Sequence, residues 1–448
     1  MAQSFGFTYL MICLLAGIGT IVLLTVKYRV HAFFALILAC FVVGIPMQMP
    51  VAGIIDLIKE GFGNMMKSLS LIIILGVTLG VLLEHSGSTA VMAKYILKKV
   101  GEKRAALSLS LTGLIAGMPL FCDSGFIVLS GLNKPLARRT GISVATLAGC
   151  LSTGLYAVHC FIPPHPGASG AAGIIGVDMG KLIVMGLLVA TPAMFAGYLW
   201  SVYAGKKYAP LLTEEDEEPV VSGQLRYEPG VIRSFLPVLV PVLLIGARSF
   251  LSVEAVEVSG WLNILFIAGN PVIALIAGVL LALSNISKDK RGTLNTLMEE
   301  AIAKAGVILV IIGAGGAFGS VLAAAHIGES FQNTLPLASM GLLFPFLLAF
   351  LLKTAQGSST VAIITAASIV LPLLPAMGLD QPDGKVLAVL SMGAGSMMIS
   401  HANDSYFWVI AKLSGLDMNT MLRVYSLATL FMGVVSIMVI YLLSLFIM

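Results

Sequence analysis

Four clusters of polar residues interrupt long apolar stretches of this sequence, at 121–125, 159–167, 353–360 and 400–405. Each cluster contains side chains that can bind an anion or carry a proton. Ionisable groups are costly in hydrocarbon, so an ionisable residue in a membrane-spanning segment is a functional hypothesis by default. Irregular backbone at that depth is tolerated only where it is buried in protein or lines a watery cavity. If the apolar stretches span a membrane, the clusters predict a polar site inside it.

The first cluster, at 121–125, is interpreted as the tip of a helical hairpin. We expect Gly125 to begin the outgoing arm, whose first amides are unpaired and carry a positive partial charge. Together with Ser124, these amides would bind a substrate carboxylate. Asp123 would repel that carboxylate unless it were protonated, which makes Asp123 a candidate for proton coupling. The alternative is that Asp123 only caps the arm.

The second cluster contains three prolines in four positions, an arrangement that cannot lie inside a regular helix. We expect the helix to unwind there and to free backbone carbonyls and amides as ligands. An exit loop is the alternative, for His165 in particular. The candidate substrate-binding residues of this cluster are His159, Pro163, Pro164 and His165.

The third cluster again places hydroxyl groups and backbone amides at the start of a helical arm. Its lysine adds a cation that suits an anionic substrate, although a single lysine could instead extend its side chain to the membrane surface. The candidate substrate-binding residues are Gln356, Gly357, Ser358, Ser359 and Thr360, and Lys353 is a possible anion contact.

The fourth cluster, at 400–405, brings His, Asn, Asp and Ser side chains within reach of one another. Such a combination does not occur in a lipid-facing helix, which favours a substrate or proton site. Helix capping by Asn403 or Asp404 alone is the alternative. The candidate substrate-binding residues are His401, Asn403 and Ser405, and Asp404 is the candidate for proton coupling.

Composition places these clusters in a bilayer. The 448 residues are 58% hydrophobic and only 11% charged, whereas soluble domains are about 25% charged. A soluble core could not hide so much apolar surface, which excludes a cytoplasmic enzyme, a nucleic-acid binder and a disulfide-built secreted module. The five cysteines show no metal-ligand spacing, so we expect no metal and no cofactor.

A spanning helix needs about 20 mostly apolar residues, and ten segments qualify. Two further stretches, 105–133 and 336–375, carry polar clusters at their middles. Basic residues flank the first stretch on both sides and acidic residues the second, so by the positive-inside rule each enters and leaves on one side as a re-entrant hairpin. Both termini are then external. The predicted spans are 6–26, 31–48, 68–84, 141–162, 178–205, 234–252, 262–284, 303–324, 385–410 and 421–447.

The two halves of the chain repeat the same order of three spans, a hairpin, a broken span and a further span. We therefore predict an all-α polytopic membrane protein with two inverted-topology repeats, each of five transmembrane helices and one re-entrant hairpin. Paired broken elements of this kind are typical of secondary transporters with a site at the midplane. The predicted parts are a first repeat, 1–205, with its broken helix at 141–167, an acidic cytoplasmic linker, 206–233, and a second repeat, 234–448, with its broken helix at 385–410.

Four segments together carry a family resemblance: the Pro-Pro-His-Pro-Gly run within 159–167, and the runs 313–319, 356–362 and 400–404. Through them the sequence resembles the gluconate permease family of proton symporters over nearly the whole chain. The resemblance implies uptake of gluconate or a related small hydroxy acid, a bacterial inner-membrane location and frequent homodimers. Some members carry D-serine instead.

The chain departs from the family at three places. Cys122-Asp123-Ser124-Gly125 stands where an aromatic-Glu-Val-Gly run is usual, and Tyr406 follows Ser405 where a small pair containing glycine is usual. Arginine is common where this chain has Lys353. A shorter acid and a bulkier aromatic residue could both reshape the pocket.

The resulting hypothesis is alternating access coupled to protons, with membrane lipid as the surrounding partner. The carboxylate would lie on the two hairpin tips, the substrate hydroxyls would pair with His159, Asn403 and Asp404, and Asp123 or Asp404 would load the proton. Sodium coupling through freed carbonyls is an alternative. More distant alternatives are a channel and an intramembrane serine protease, the latter because Ser169 lies in a Gly-Ala-Ser-Gly motif.

Overall fold

The computed structural model describes residues 7–101, 104–208, 229–253, 261–286, 293–325 and 340–448. Regular secondary structure in these ranges is helical, without a strand. Six helices there are long and apolar enough to cross a membrane, and six shorter apolar helices accompany them. The prediction of an all-helical protein with many apolar helices is confirmed.

The part of the chain up to residue 208 forms ten α-helices among the described residues. Several are short because proline, glycine or a polar cluster ends them, and α8 is buried along its whole length. The helices are α1 Phe7–Val22, α2 Ala32–Gly44, α3 Val51–Ser86, α4 Ser88–Val100, α5 Ala105–Ala116, α6 Cys122–Leu129, α7 Asn133–Thr140, α8 Val144–Phe161, α9 Pro166–Ile175 and α10 Met179–Tyr208.

The part from residue 229 onwards forms a second series of helices. Most of the predicted linker, 206–233, and the first residues of the predicted hairpin, 336–375, lie outside the described residues. The helices are α11 Val231–Val253, α12 Trp261–Ala268, α13 Pro271–Ser284, α14 Leu294–Ala324, α15 Leu343–Gln356, α16 Ser359–Val370, α17 Pro382–Met397, α18 Ser405–Ser414, α19 Met418–Met421 and α20 Leu427–Ile447.

Two predicted spans differ from the helices observed. The span 68–84 is only the C-terminal part of α3, whose 36 residues extend about 54 Å and therefore exceed a hydrocarbon core of about 30 Å. The span 262–284 is not continuous, because the chain turns at residues 269–270 and α13 begins there with Pro271. The Asn270 side chain caps this new helix by accepting from the Val272 amide at 3.0 Å.

Helix packing brings the interrupted stretches against the broken helices. The long helices α3 and α14 pack along each other and join the two parts of the chain. Helix α5 packs closely on α8, where a Cβ atom on Gly113 would lie only 2.6 Å from the Leu151 carbonyl. In the second part, Gly395 of α17 faces the Phe346 carbonyl of α15 in the same manner. The interrupted stretches turn at residues 117–121 and 357–358. This packing places the first turn beside the break in α8–α9 and the second beside the break in α17–α18.

Candidate functional site

Two tyrosine hydroxyls connect the broken helix pairs. The Tyr156 hydroxyl of α8 donates to the Ser396 carbonyl of α17 at 3.3 Å, and the Tyr406 hydroxyl of α18 donates to the Ser152 carbonyl of α8 at 3.3 Å. The Ser396 carbonyl lies in the last turn of its helix, where carbonyls have no helical partner. These bonds hold the two breaks against each other in the protein interior.

A buried ion pair stands at the second break. The Lys353 Nζ atom lies 3.5 Å from Asp404 Oδ2, and the two side chains are 0% and 7% exposed. The Ser400 hydroxyl donates to the same oxygen at 2.5 Å. The other oxygen of Asp404 accepts from the Tyr406 amide at 3.0 Å and so caps α18. Asp404 therefore both caps a helix and balances a buried cation, and Lys353 does not extend to the surface.

The turn between α15 and α16 is attached to the segment before α18. The Asn403 side-chain amide donates to the Thr354 carbonyl at 2.7 Å. Gly357 ends α15 with a φ of +81°, and its α-carbon faces the Asn403 carbonyl so closely that no side chain fits there. The Ser358 hydroxyl caps α16 by accepting from the Val361 amide at 3.3 Å. The third and fourth clusters thus form one unit.

Two histidines join this unit to the first break. His159 Nε2 lies 3.5 Å from the Thr360 hydroxyl, and the His159 and His165 rings are 5.0 Å apart. His165 Nε2 lies 2.9 Å from the Gly117 carbonyl and must carry a proton, because a carbonyl only accepts. His165 is 3% exposed, which argues against an exit loop.

Several buried polar atoms of this region have no hydrogen-bond partner, as do others elsewhere in the described residues. Nearly all buried polar groups in proteins have a hydrogen-bond partner, and exceptions indicate where a ligand or water supplies one. A set of such exceptions lies in the first, second and third clusters. The buried atoms without a hydrogen-bond partner here are Asp123 Oδ1, His159 Nδ1, Lys353 Nζ, Thr354 Oγ1 and both amide atoms of Gln356.

The first cluster is placed differently from its prediction. Helix α6 begins at Cys122, so Asp123 and Ser124 lie in its first turn, and the expectation that Gly125 opens the arm is wrong. Gly125 is instead buried where a Cβ atom would meet the Leu155 side chain of α8 at 2.7 Å. The Phe126 ring lies 6.1 Å from the Tyr406 ring, so α6 packs on α18 beside the ion pair.

Some candidates line an apolar cavity or are partly or largely exposed, and so are not buried together with the unpaired atoms. Pro163 and Pro164 line an apolar cavity together with Met118 and Pro119 of the first turn. Ser405 and Asn403 have exposed side chains, and that of His401 is half-buried. The site thus centres on Lys353, Asp404, His159, Thr360 and Gln356, with Asp123 at its edge.

The chain is similar to permeases and transporters over nearly its whole length. A gluconate permease of Pseudomonas aeruginosa is 34% identical over 442 residues, which cover 96% of each chain. A D-serine transporter of Escherichia coli O6:H1 is 33% identical over 438 residues, which cover 96% of this chain and 97% of the relative. The family described as GntP family permease matches residues 9–446. The chain belongs to this family.

A solved structure shows the same fold at low identity. The YdaH transporter of Alcanivorax borkumensis superposes with a TM-score of 0.61 at 15% identity, covering 88% of this chain and 90% of that one. The predicted resemblance to the gluconate permease family is confirmed, and the chain is a membrane permease of a family of transporters.

The site of this permease includes residues that the predicted set omits. Ser400 donates to Asp404, and it could have been included because it lies four residues away in the same cluster. The Tyr156, Tyr406 and Tyr425 rings pack around one another, with centroids 5.8–6.3 Å apart. No spacing rule connects Tyr156 to the other two tyrosines, since it lies 250 positions before Tyr406.

Proposed function

We propose that this permease is a secondary active transporter that imports gluconate or a related small hydroxy acid by proton symport with alternating access, and that it is not an enzyme. The observation that carries the proposal is the buried Lys353–Asp404 pair among unpaired polar atoms. If a proton neutralises Asp404, the buried Lys353 ammonium group becomes available to an anion. The pair can therefore bind an anion and a proton together.

The proposed architecture is two inverted repeats, 1–205 and 234–448, with both termini outside a bacterial inner membrane. Two features support it. Each part of the chain has a helix pair whose break lies beside the turn of an interrupted stretch, α8–α9 in the first part and α17–α18 in the second. In each part a glycine of the broken helix, Gly154 or Gly395, is pressed against the incoming arm. Broken helices at corresponding positions support a site between repeats.

The substrate carboxylate would lie between Lys353 and the first turn of α16. That helix of 12 residues presents unpaired amides and a positive partial charge at its start. Apart from the 3.5 Å contact with Asp404, the Lys353 ammonium group has no polar partner among the described residues, so its donors can be used by the substrate. The hydroxyl groups of a sugar acid would then pair with the free atoms of His159 and Gln356 and with the Thr360 hydroxyl.

Proton coupling follows from the balance of charge. While Asp404 is ionised it holds the Lys353 ammonium group at 3.5 Å. An arriving carboxylate would add a second negative charge to a buried site, which is costly. A proton on Asp404 removes that charge and releases Lys353 to the substrate. The site then keeps the same net charge when one anion and one proton enter together, and loss of the proton on the inner side returns Lys353 to Asp404.

A D-serine carrier with the same fold is the second candidate, because a D-serine transporter is among the similar proteins. D-serine brings an ammonium group, which needs a carboxylate partner, and Asp123 has one buried oxygen without a hydrogen bond. The protease alternative has no such support. The Ser169 hydroxyl is fully buried and has no hydrogen-bond partner, so no histidine within the described ranges is positioned to activate it.

Uptake into proteoliposomes tests the proposed function. Labelled gluconate is presented under an inward proton gradient, with unlabelled D-serine, glycerate and other sugar acids as competitors. We expect accumulation that a protonophore abolishes and that an imposed sodium gradient does not drive. Accumulation of a competitor in place of gluconate would identify that compound as the transported substrate. Absence of transport of every compound by folded protein would refute the proposal.

Thr360→Val is expected to raise the substrate concentration for half-maximal uptake by about fivefold to tenfold. The change removes the hydroxyl 3.5 Å from His159, and one hydrogen bond contributes about 1 kcal/mol. Thr365→Val is the matched control, since Thr365 is buried on the same helix and its hydroxyl has no hydrogen-bond partner. Initial rates of uptake measure both variants, and equal effects in the two would contradict a binding role for Thr360.

A further inference from the structure

The short helix α4 presents a basic face beside the start of α11. It follows α3 after Gly87, whose φ of +78° turns the chain. Met92, Ala93 and Ile96 are buried on one side of α4, which packs against α5 and α11. The residues exposed on its other side are Lys94, Tyr95, Lys98 and Lys99.

A groove of about 460 Å³ lies along this basic face. Its lining contains three lysines and no acidic residue among the described part of the chain. The Tyr95 ring packs on the Phe235 ring of α11 at 5.8 Å, and the side chain of Ile232, next to the groove, is 75% exposed. The groove therefore combines a cationic side with an apolar side. Its lining residues are Val91, Lys94, Tyr95, Lys98, Lys99 and Val231.

We propose that this groove binds the phosphate headgroup of an anionic phospholipid of the adjoining leaflet. Amphipathic helices with lysines on the polar face lie in the plane of the membrane interface. Each lysine at that level raises the affinity for an anionic lipid by about fivefold. The exposed Val231 and Ile232 at the start of α11 would contact the glycerol and upper acyl region, which a free phosphate ion lacks. The distribution of basic residues assigns this face to the cytoplasmic side.

Lipid binding to the purified permease tests the proposal. Delipidated protein in detergent is titrated with phosphatidylglycerol or phosphatidylcholine, and bound lipid is counted by native mass spectrometry. Lys98→Gln/Lys99→Gln is expected to weaken phosphatidylglycerol binding about 30-fold and to leave phosphatidylcholine binding unchanged. Lys98→Arg/Lys99→Arg is expected to retain binding and so to show that the charge is responsible.

Lys206→Gln/Lys207→Gln is the matched control, because it removes the same charge from the exposed end of α10, outside the groove. This control is expected to bind phosphatidylglycerol as the wild type does. Equal loss in both glutamine variants, no loss in either, or displacement of the lipid by inorganic phosphate would overturn the proposal. Because lipid binding is measured without substrate, its failure is distinguishable from a failure of the proposed transport function.

Discussion

Asp404→Asn is expected to abolish proton-driven accumulation while exchange of substrate across the membrane continues. In the proposed cycle Asp404 releases Lys353 by taking a proton, and an asparagine leaves Lys353 permanently available to the anion. One proton per anion predicts about tenfold accumulation for a gradient of one pH unit, since 1.4 kcal/mol corresponds to a factor of ten. We expect this ratio to fall to about one. Net uptake and counterflow in the same proteoliposomes measure the two activities.

A double variant separates coupling from stability. Removing one partner of a buried ion pair destabilises a protein by about 3–5 kcal/mol, so Asp404→Asn is also expected to melt at a lower temperature. Lys353→Met/Asp404→Asn removes both charges, and we expect it to regain thermal stability but to bind no anion. Tenfold accumulation in Asp404→Asn, or any proton-driven accumulation in the double variant, would contradict the mechanism.

The break after α8 and the turn after α15 follow from local chemistry, which explains why they could be predicted. Proline lacks the amide hydrogen and clashes with the preceding turn, and α8 ends at Phe161, two residues before Pro163. Glycine accepts a positive φ without strain, and α15 ends at Gly357. Membership of the permease family was also predictable, because it depends on short runs of sequence.

The contacts that assemble the site were not predictable from spacing. Lys353 and Asp404 are 51 positions apart, and only the packing of α15 against α17 brings the ammonium group to the carboxylate. The tyrosine bonds between α8 and the second break join residues about 250 positions apart. The N-terminal part of α3 was missed for a different reason: its exposed Asp56, Lys59 and Glu60 lower the local hydropathy below that of a spanning segment, although they fit the exposed face of a long helix.

Gly357→Ala is expected to reduce uptake at least tenfold in protein that still folds. Its φ of +81° is a conformation that costs an L-residue about 1–2 kcal/mol. The added Cβ atom would also collide with the Asn403 carbonyl, and Asn403 holds the last turn of α15 through its bond to Thr354. Lys353 lies in that turn. A collision that moves Asn403 and the end of α15 therefore moves the Lys353 ammonium group away from the substrate. Initial uptake rates and melting temperature are the measurements.

Gly378→Ala distinguishes backbone strain from loss of this contact. Gly378 has a similar φ of +69°, but a Cβ atom there would meet nothing within 4 Å. We expect it to lower the free energy of unfolding by a similar amount, about 1–2 kcal/mol, and to transport at the wild-type rate. A comparable loss of uptake in both variants would mean that strain alone impairs transport. Loss in Gly357→Ala alone would show that the contact between residue 357 and Asn403 keeps the cation in position, as the buried ion pair requires.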